Sequence, residues 1–397
     1  MRISRVAVAA ALALASSVVC AQTIKIGFIS SYSGLNGNLG PYMERAVRLY
    51  LKQHEKELGG VKVELITRDD TGPNPDKARQ LAQELVVRDK VNLIAGVIFT
   101  PNAMSIAPIA TEAKVPFVIM NAGTSVITTR SPYIVRTSFT LWQSSYPLGQ
   151  WAAKRFKTAY TMVSDFGPGH DSEEAFTKGF TEGGGKIVGS VRVPLQNPDF
   201  AAYMQRVKDA KPDALKVFIP AGKTATAVMK NFSDLGLDKA GIKLIGPGDI
   251  TTDEELPNMG DVALGVLTVH HYSAAATRPA NKAFVEAWKK EYGANETPNF
   301  LSAASWDGTA MIFEAIKQQK GKLNPDKTME IFKAWKWADS PRGPISIDPE
   351  TRDVVHNEYL REVRKVGNQL ANVEIETVAT ALKDPWKELQ KNAPAKK

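Results

Sequence analysis

Six short segments concentrate the small polar residues that hold anions through backbone N–H groups and hydroxyls: Ser30–Gly40, Phe99–Asn102, Asn121–Ser125, Asp165–Asp171, Pro220–Lys223 and Pro247–Thr252. Each follows a short apolar run and precedes a stretch with helical spacing. Loops of this kind place unpaired N–H groups at helix N-termini, a favourable setting for a carboxylate. The same residue types also cap helices without binding anything. One such loop decides nothing; six that converge favour a binding site.

Other spacings lead less far. Gly34, Gly37 and Gly40 run G-x-x-G-x-x-G, which is not the dinucleotide fingerprint and suits a flexible loop over a ligand. His170 and Asp171, with Asp165 nearby, have no second cluster at metal-ligand spacing. His270 and His271 fall on a strand, where neighbours face opposite sides; this predicts a poor chelate, with one histidine packed and the other exposed. G-x-S-x-G, H-E-x-x-H and P-loop motifs do not occur. The reading is of a binding protein with no catalytic residue, no metal and no cofactor.

The elements that must position these loops follow from periodicity. Ile24–Ile29, Val61–Ile66, Leu93–Ile98, Pro116–Met120 and Tyr133–Ser138 read as strands separated by amphipathic helical stretches. The pattern restarts at Ala159–Ser164 and continues through Lys186–Val193, Leu215–Ile219, Lys243–Gly246 and Leu264–His270. Strands alternating with helices imply parallel sheets covered on both faces, and two such series imply two α/β, doubly wound lobes. After Tyr272, helices at Asn281–Tyr292, Phe300–Gln319 and Thr328–Trp335 return to cover the first lobe. Strand-like pieces at Pro344–Ile347, Val354–Val366 and Val373–Val378 return to the second. The expected division is 22–138 with 273–344, then 139–272 with 345–385, followed by a disordered tail over 386–397.

The chain has 397 residues, 43% hydrophobic and 23% charged, the composition of a folded two-domain protein. Arg2 and Arg5 precede an uncharged run from Val6 to about Val19, and Val19-Cys20-Ala21 supplies a cleavage site. This predicts a secretory signal over residues 1–21, too short in its apolar part for a membrane span. Cys20 is the single cysteine. Bulky Val19 before it favours a soluble product over a lipidated one, and the processed chain has no thiol. Of the net charge of +8, Arg2 and Arg5 supply two, leaving six spread through the sequence. That suits anionic ligands or a negative membrane surface rather than nucleic acid.

With the loops in view, the chain resembles the leucine/isoleucine/valine-binding family of ABC-transporter substrate-binding proteins. The resemblance runs from about Ile24 to Val378. It is carried jointly by IKIGFISSYSGLNGNLG, VPFVIMNAGTS, YIVRTS and RGPISIDPETRDVVHNEYLREV. It implies a type I periplasmic-binding fold, with two lobes joined by a three-strand hinge and closing on a solute. The family's ligand hydroxyl falls on Thr100. Its carboxylate-holding pair falls on Ala122 and Thr124, in the loop begun by Asn121, and Tyr32 and Ser33 of the first loop would pack on the ligand.

In the second lobe the family's aromatic residue falls near His170, or on Phe166. Its tyrosine position falls near Gly222, and its acidic position falls on Gly248, with Asp249 displaced by one. A buried ammonium needs an anionic partner, so an α-amino acid ligand requires Asp249 to reach in. DFGPGHDSEEAF and GPGDITTDEELPNMG look more like the aromatic-acid-binding branch, in which Phe99, Phe166 and Trp142 either stack on a ring or pack the core. The resemblance thus implies a monomeric, periplasmic component of an ABC importer that delivers a small carboxylate to a membrane permease. The rivals are an aliphatic amino acid as ligand, a ligand-sensing subunit and an exported hydrolase.

Overall fold

The computed structural model of the protein describes residues 22–391; the expected signal segment and residues 392–397 lie outside the described residues. The first lobe contains β1 (Thr23–Ser30), α1 (Gly40–His54), β2 (Lys62–Asp69), α2 (Pro75–Val87), β3 (Leu93–Gly96), α3 (Thr100–Glu112), β4 (Phe117–Ile119) and β5 (Ile134–Arg136). Its strands form a parallel sheet in the order β2-β1-β3-β4-β5. β1 sits inside because its run IKIGFI is buried almost throughout, the signature of a strand covered on both faces.

The second lobe repeats the arrangement with α4 (Leu141–Ala153), β6 (Thr158–Ser164), α5 (Gly167–Glu182), β7 (Lys186–Val193), α6 (Phe200–Ala210), β8 (Ala214–Phe218), α7 (Lys223–Asp234), β9 (Lys243–Pro247), α8 (Leu256–Met259) and β10 (Leu267–His270). The parallel order β7-β6-β8-β9-β10 matches that of the first sheet strand for strand. Ligands bind such sheets beyond the carboxyl ends of the strands, and here both sheets present those ends to one another.

The remainder is α9 (Pro279–Tyr292), α10 (Phe300–Gln318), α11 (Pro325–Ala334), β11 (Lys336–Trp337), β12 (Ile345–Ile347), β13 (Val354–Val366), β14 (Gln369–Leu382) and α12 (Pro385–Lys391). α10 buries residues on every side over most of its length, as expected of a helix that lacks a polar face there. It packs on α1, with Trp306 and Phe313 edge-on to Tyr50 at 4.8 and 5.1 Å.

This is the type I periplasmic-binding architecture, with three differences from the sequence reading. The second sheet is not purely parallel: β13 joins β10 antiparallel, and β12 and β14 join β13. Ile345, Ile347 and Val354 pack in a core built mainly from first-lobe residues, whereas Leu360 and Val363 pack in the second lobe's, so β13 spans both cores while β12 pairs with it in the second sheet. Residues 386–391, read as the start of a disordered tail, belong to α12. Lys387 anchors that helix by donating to Thr128 and Asp353. Among the described residues no helix is long and apolar enough to cross a membrane.

Candidate functional site

Between the facing strand ends lies a narrow, nearly closed cavity lined from both lobes, a concave and mostly apolar setting of the kind that takes small molecules. Five phenylalanines line it: Phe99 and Phe300 from the first lobe, Phe139 from the first passage, and Phe166 and Phe218 from the second lobe. Phe166 and Phe218 lie near parallel with centroids 6.1 Å apart. Polar groups enter only at Asn36, Thr100, Asn121 and Asp249. The lobes meet around it, with Ser125 N–H donating to Asp171 Oδ2 at 2.8 Å and Asn38 Nδ2 to Glu255 Oε1 at 3.3 Å.

On the first-lobe side, the turn from β3 into α3 is held in an unusual conformation. Val97 has φ +66°, an arrangement a β-branched residue adopts only when its surroundings enforce it. Its N–H is bonded to Ile29 and its carbonyl to the N–H of Ala122. The turn delivers Phe99 and Thr100 to the cavity, and Thr100 Oγ1 lies 2.9 Å from Thr124 Oγ1. A side chain on Gly167, the first residue of α5, would crowd the Thr124 hydroxyl, so the N-termini of α3 and α5 converge on this hydroxyl pair. Asn121 donates to the Ile98 carbonyl while its Oδ1 has no partner. Arg136 fixes the loop from beneath, donating to the carbonyls of Ala122 and Thr124 at 2.8 and 2.9 Å and pairing with Asp353 at 2.8 Å.

Of the sequence-nominated residues, Phe99, Thr100, Asn121, Phe166 and Asp249 line the cavity, and Thr124 reaches it through Thr100. Others stand elsewhere. Ala122 spends its N–H on Val97, so that group is not available to a carboxylate. Tyr32 and Ser33 face an outer groove with Lys223 and Thr224, and Ser33 donates to Asp69 at 2.6 Å. His170 points outward to Asp165 at 2.7 Å, its side chain 43% exposed. Gly222 opens α7 at the rim, with φ +96° and facing Asn36 and Asn38. Gly248 lies behind the wall, where a side chain would strike Arg361 and His270. Trp142 is buried against Tyr146 and not against the cavity. His270 and His271 are both fully buried, because His271 follows the end of β10 and is not bound by strand alternation.

Sequence reasoning missed Phe139, Phe218 and Phe300. Phe218 ends a strand and was legible as a candidate; Phe139 and Phe300 come from a passage between lobes and a late helix, which only the tertiary fold brings in.

Asp249 is the only carboxylate lining the cavity, and its Oδ2 has no partner. Burial pushes it up to about 7, against the opposing pull of Arg361 and Lys216. Lys216, on β8, is itself lowered to about 7 by burial. Asp171 is likewise raised to about 7, chiefly by burial, with Asp384 adding and the Ser125 N–H and Arg136 opposing. The folded carboxyl therefore holds its proton more tightly than the unfolded one, whose ordinary value is 3.8. The contribution to stability is present at low pH and lost as pH rises to about 7, on the order of 4 kcal/mol at most. Asp171→Asn should flatten that part of the stability–pH curve in urea titrations; an unchanged slope would remove Asp171 from the account.

The chain is 42% identical to Leu/Ile/Val-binding protein homolog 6 of Brucella melitensis, across 93% of this chain and 95% of that one. It superposes with a TM-score of 0.88 on a solute binding protein of an ABC transporter from Rhodopseudomonas palustris BisB5 in complex with 3,4-dihydroxybenzoic acid, at 51% identity over 92% of this chain and 99% of the other. A second R. palustris solute binding protein, in complex with 4-hydroxybenzoate, gives a TM-score of 0.88 at 43% identity with the same coverage. The family model described as periplasmic binding protein matches residues 23–368, a span that takes in the five parallel strands of each lobe, and the chain belongs to that family.

Proposed function

We propose that this solute-binding protein of the ABC-transporter class captures an aromatic carboxylate, with hydroxylated benzoates as the favoured ligands, and presents it to a membrane permease after export. The observation that carries the reading is the cavity itself, in which five phenylalanines form the walls and polar groups stand at opposite ends. The carboxylate sits at Thr100 and Thr124, where two helix N-termini add their partial positive charge. The ring lies among Phe99, Phe166 and Phe218. A ring hydroxyl meets Asp249 on the opposite wall. Only closure lets both lobes touch one ligand, so binding favours the closed form. The solved relatives bound to 3,4-dihydroxybenzoic acid and 4-hydroxybenzoate support this reading.

A second reading, an aliphatic amino acid, has the curated relatives' name and Asp249 as an ammonium partner in its favour. Calorimetric titration of 4-hydroxybenzoate against leucine, isoleucine and valine separates the two. Tight binding confined to the amino acids would overturn the aromatic reading.

Thr124→Ala removes a hydroxyl aimed at a charged group and should weaken binding of 4-hydroxybenzoate by about 1–3 kcal/mol. An unchanged affinity in the same titration would take Thr124 out of the site.

A further inference from the structure

Behind the cavity wall, where β10 hands the chain back to the first lobe, lies a group of side chains that the carboxylate site does not use. His271 follows β10, and His356 and Glu358 stand two apart on β13, hence on one face of that strand. The antiparallel register sets His270 opposite Tyr359, which brings the residue after β10 next to this stretch of β13. One ligand atom from each of the three lies within 4.8 Å of the others. The rings of His271 and His356 stand 5.2 Å apart and nearly perpendicular, and His356 Nε2 is 3.7 Å from Glu358 Oε1. Phe139 and Phe300 pack against His271.

All three side chains are fully buried, and none of their ring nitrogens or carboxylate oxygens has a hydrogen-bond partner among the described residues. Buried polar atoms are rarely left so. Imidazole lone pairs and a carboxylate converging on one point ask for a cation.

We propose that His271, His356 and Glu358 form a structural site for one divalent ion of the zinc class, set in the joint between the lobes. Two imidazoles and a carboxylate are a zinc ligand set, with the fourth position left to water. The ion ties the second passage between lobes to β13, which is the third. Because the site is closed to solvent, the ion enters as the chain folds.

The test uses the processed chain unfolded in guanidinium with EDTA, then refolded with ZnCl₂ or with EDTA and desalted. The expected result is one zinc retained per chain by mass spectrometry, a melting temperature about 5 °C or more above that of the EDTA-refolded protein, and a visible absorption band of four-coordinate cobalt when Co²⁺ replaces zinc. H356Q and E358Q should each lose at least ~10-fold in retained zinc, while H54Q, which alters the surface pair of His54 and Glu57, should retain it. If the wild-type protein keeps no zinc and melts at the same temperature either way, waters satisfy these atoms and the proposal fails. It fails equally if H356Q and E358Q retain zinc as the wild type does. Should those variants not fold, the zinc ratio and cobalt spectrum of the wild-type protein decide.

Discussion

Arg136→Ala should cost about 3–5 kcal/mol of stability and weaken ligand binding at least ~10-fold. The guanidinium is fully buried. It ties three parts of the chain: β5, which carries it; the carbonyls of Ala122 and Thr124 in the site loop; and Asp353, just before β13. Asp353 in turn receives Lys387 of α12. Truncation leaves two buried carbonyls short of a donor and a buried carboxylate with one of its two cations gone, and removal of one partner of a buried pair is the costly case. The loop that holds Thr124 loses its support at the same stroke, so affinity falls with stability. Arg136→Lys should recover little, because a single ammonium cannot reach Asp353 and both carbonyls as the planar fork does. Thermal unfolding and calorimetry on the two variants check this; an alanine variant within about 1 kcal/mol of the wild type would refute it.

Much of the architecture was legible because apolar periodicity reports burial directly. The alternating series of strands and helices up to His270 emerged in the right order, and Val354–Val366 was read at its observed bounds. What periodicity cannot report is which lobe a strand joins. β12 and the start of β13 look alike in sequence whether they pack on one core or the other, and only the tertiary fold shows that β13 spans both. The site shows the same division. Thr100, Asn121, Phe166 and Asp249 line the cavity, and they could be nominated because they sit in loops at strand ends, where binding is expected from topology. Tyr32 and His170 occupy such loops too, yet neither lines the cavity. Their direction is set by local contacts, with Asp69 taking the Tyr32 N–H and Asp165 the His170 ring, and spacing is silent about those. The buried histidines were misjudged for a related reason: strand alternation was applied to His271 one residue beyond the strand's end.

Asp249 makes the second large prediction, one of specificity. It lines the cavity from the second lobe with its Oδ2 unpartnered, while Thr100, bonded to Thr124, lines it from the first. A buried acceptor left unpaired penalises any ligand that brings no donor, so a site built for a hydroxyl rejects the analogue that lacks one more strongly than an apolar pocket rejects an added group. The wild-type protein should therefore bind 4-hydroxybenzoate about 100-fold or more tighter than benzoate. Asp249→Leu should reverse much of this: 4-hydroxybenzoate loses a hydrogen bond involving an ionisable group, about 1.5–3 kcal/mol, while benzoate no longer strands a polar atom and gains. Because burial holds Asp249 near 7, the carboxyl can accept from the phenol when ionised or donate to it when protonated, and the preference for the hydroxylated ligand should persist from pH 6 to pH 8. Parallel calorimetric titrations of both ligands into wild-type and variant protein read the outcome. Equal losses for the two ligands would show that Asp249 shapes the cavity without contacting the hydroxyl. A preference that vanished at one end of that pH range would confine Asp249 to a single protonation state in binding.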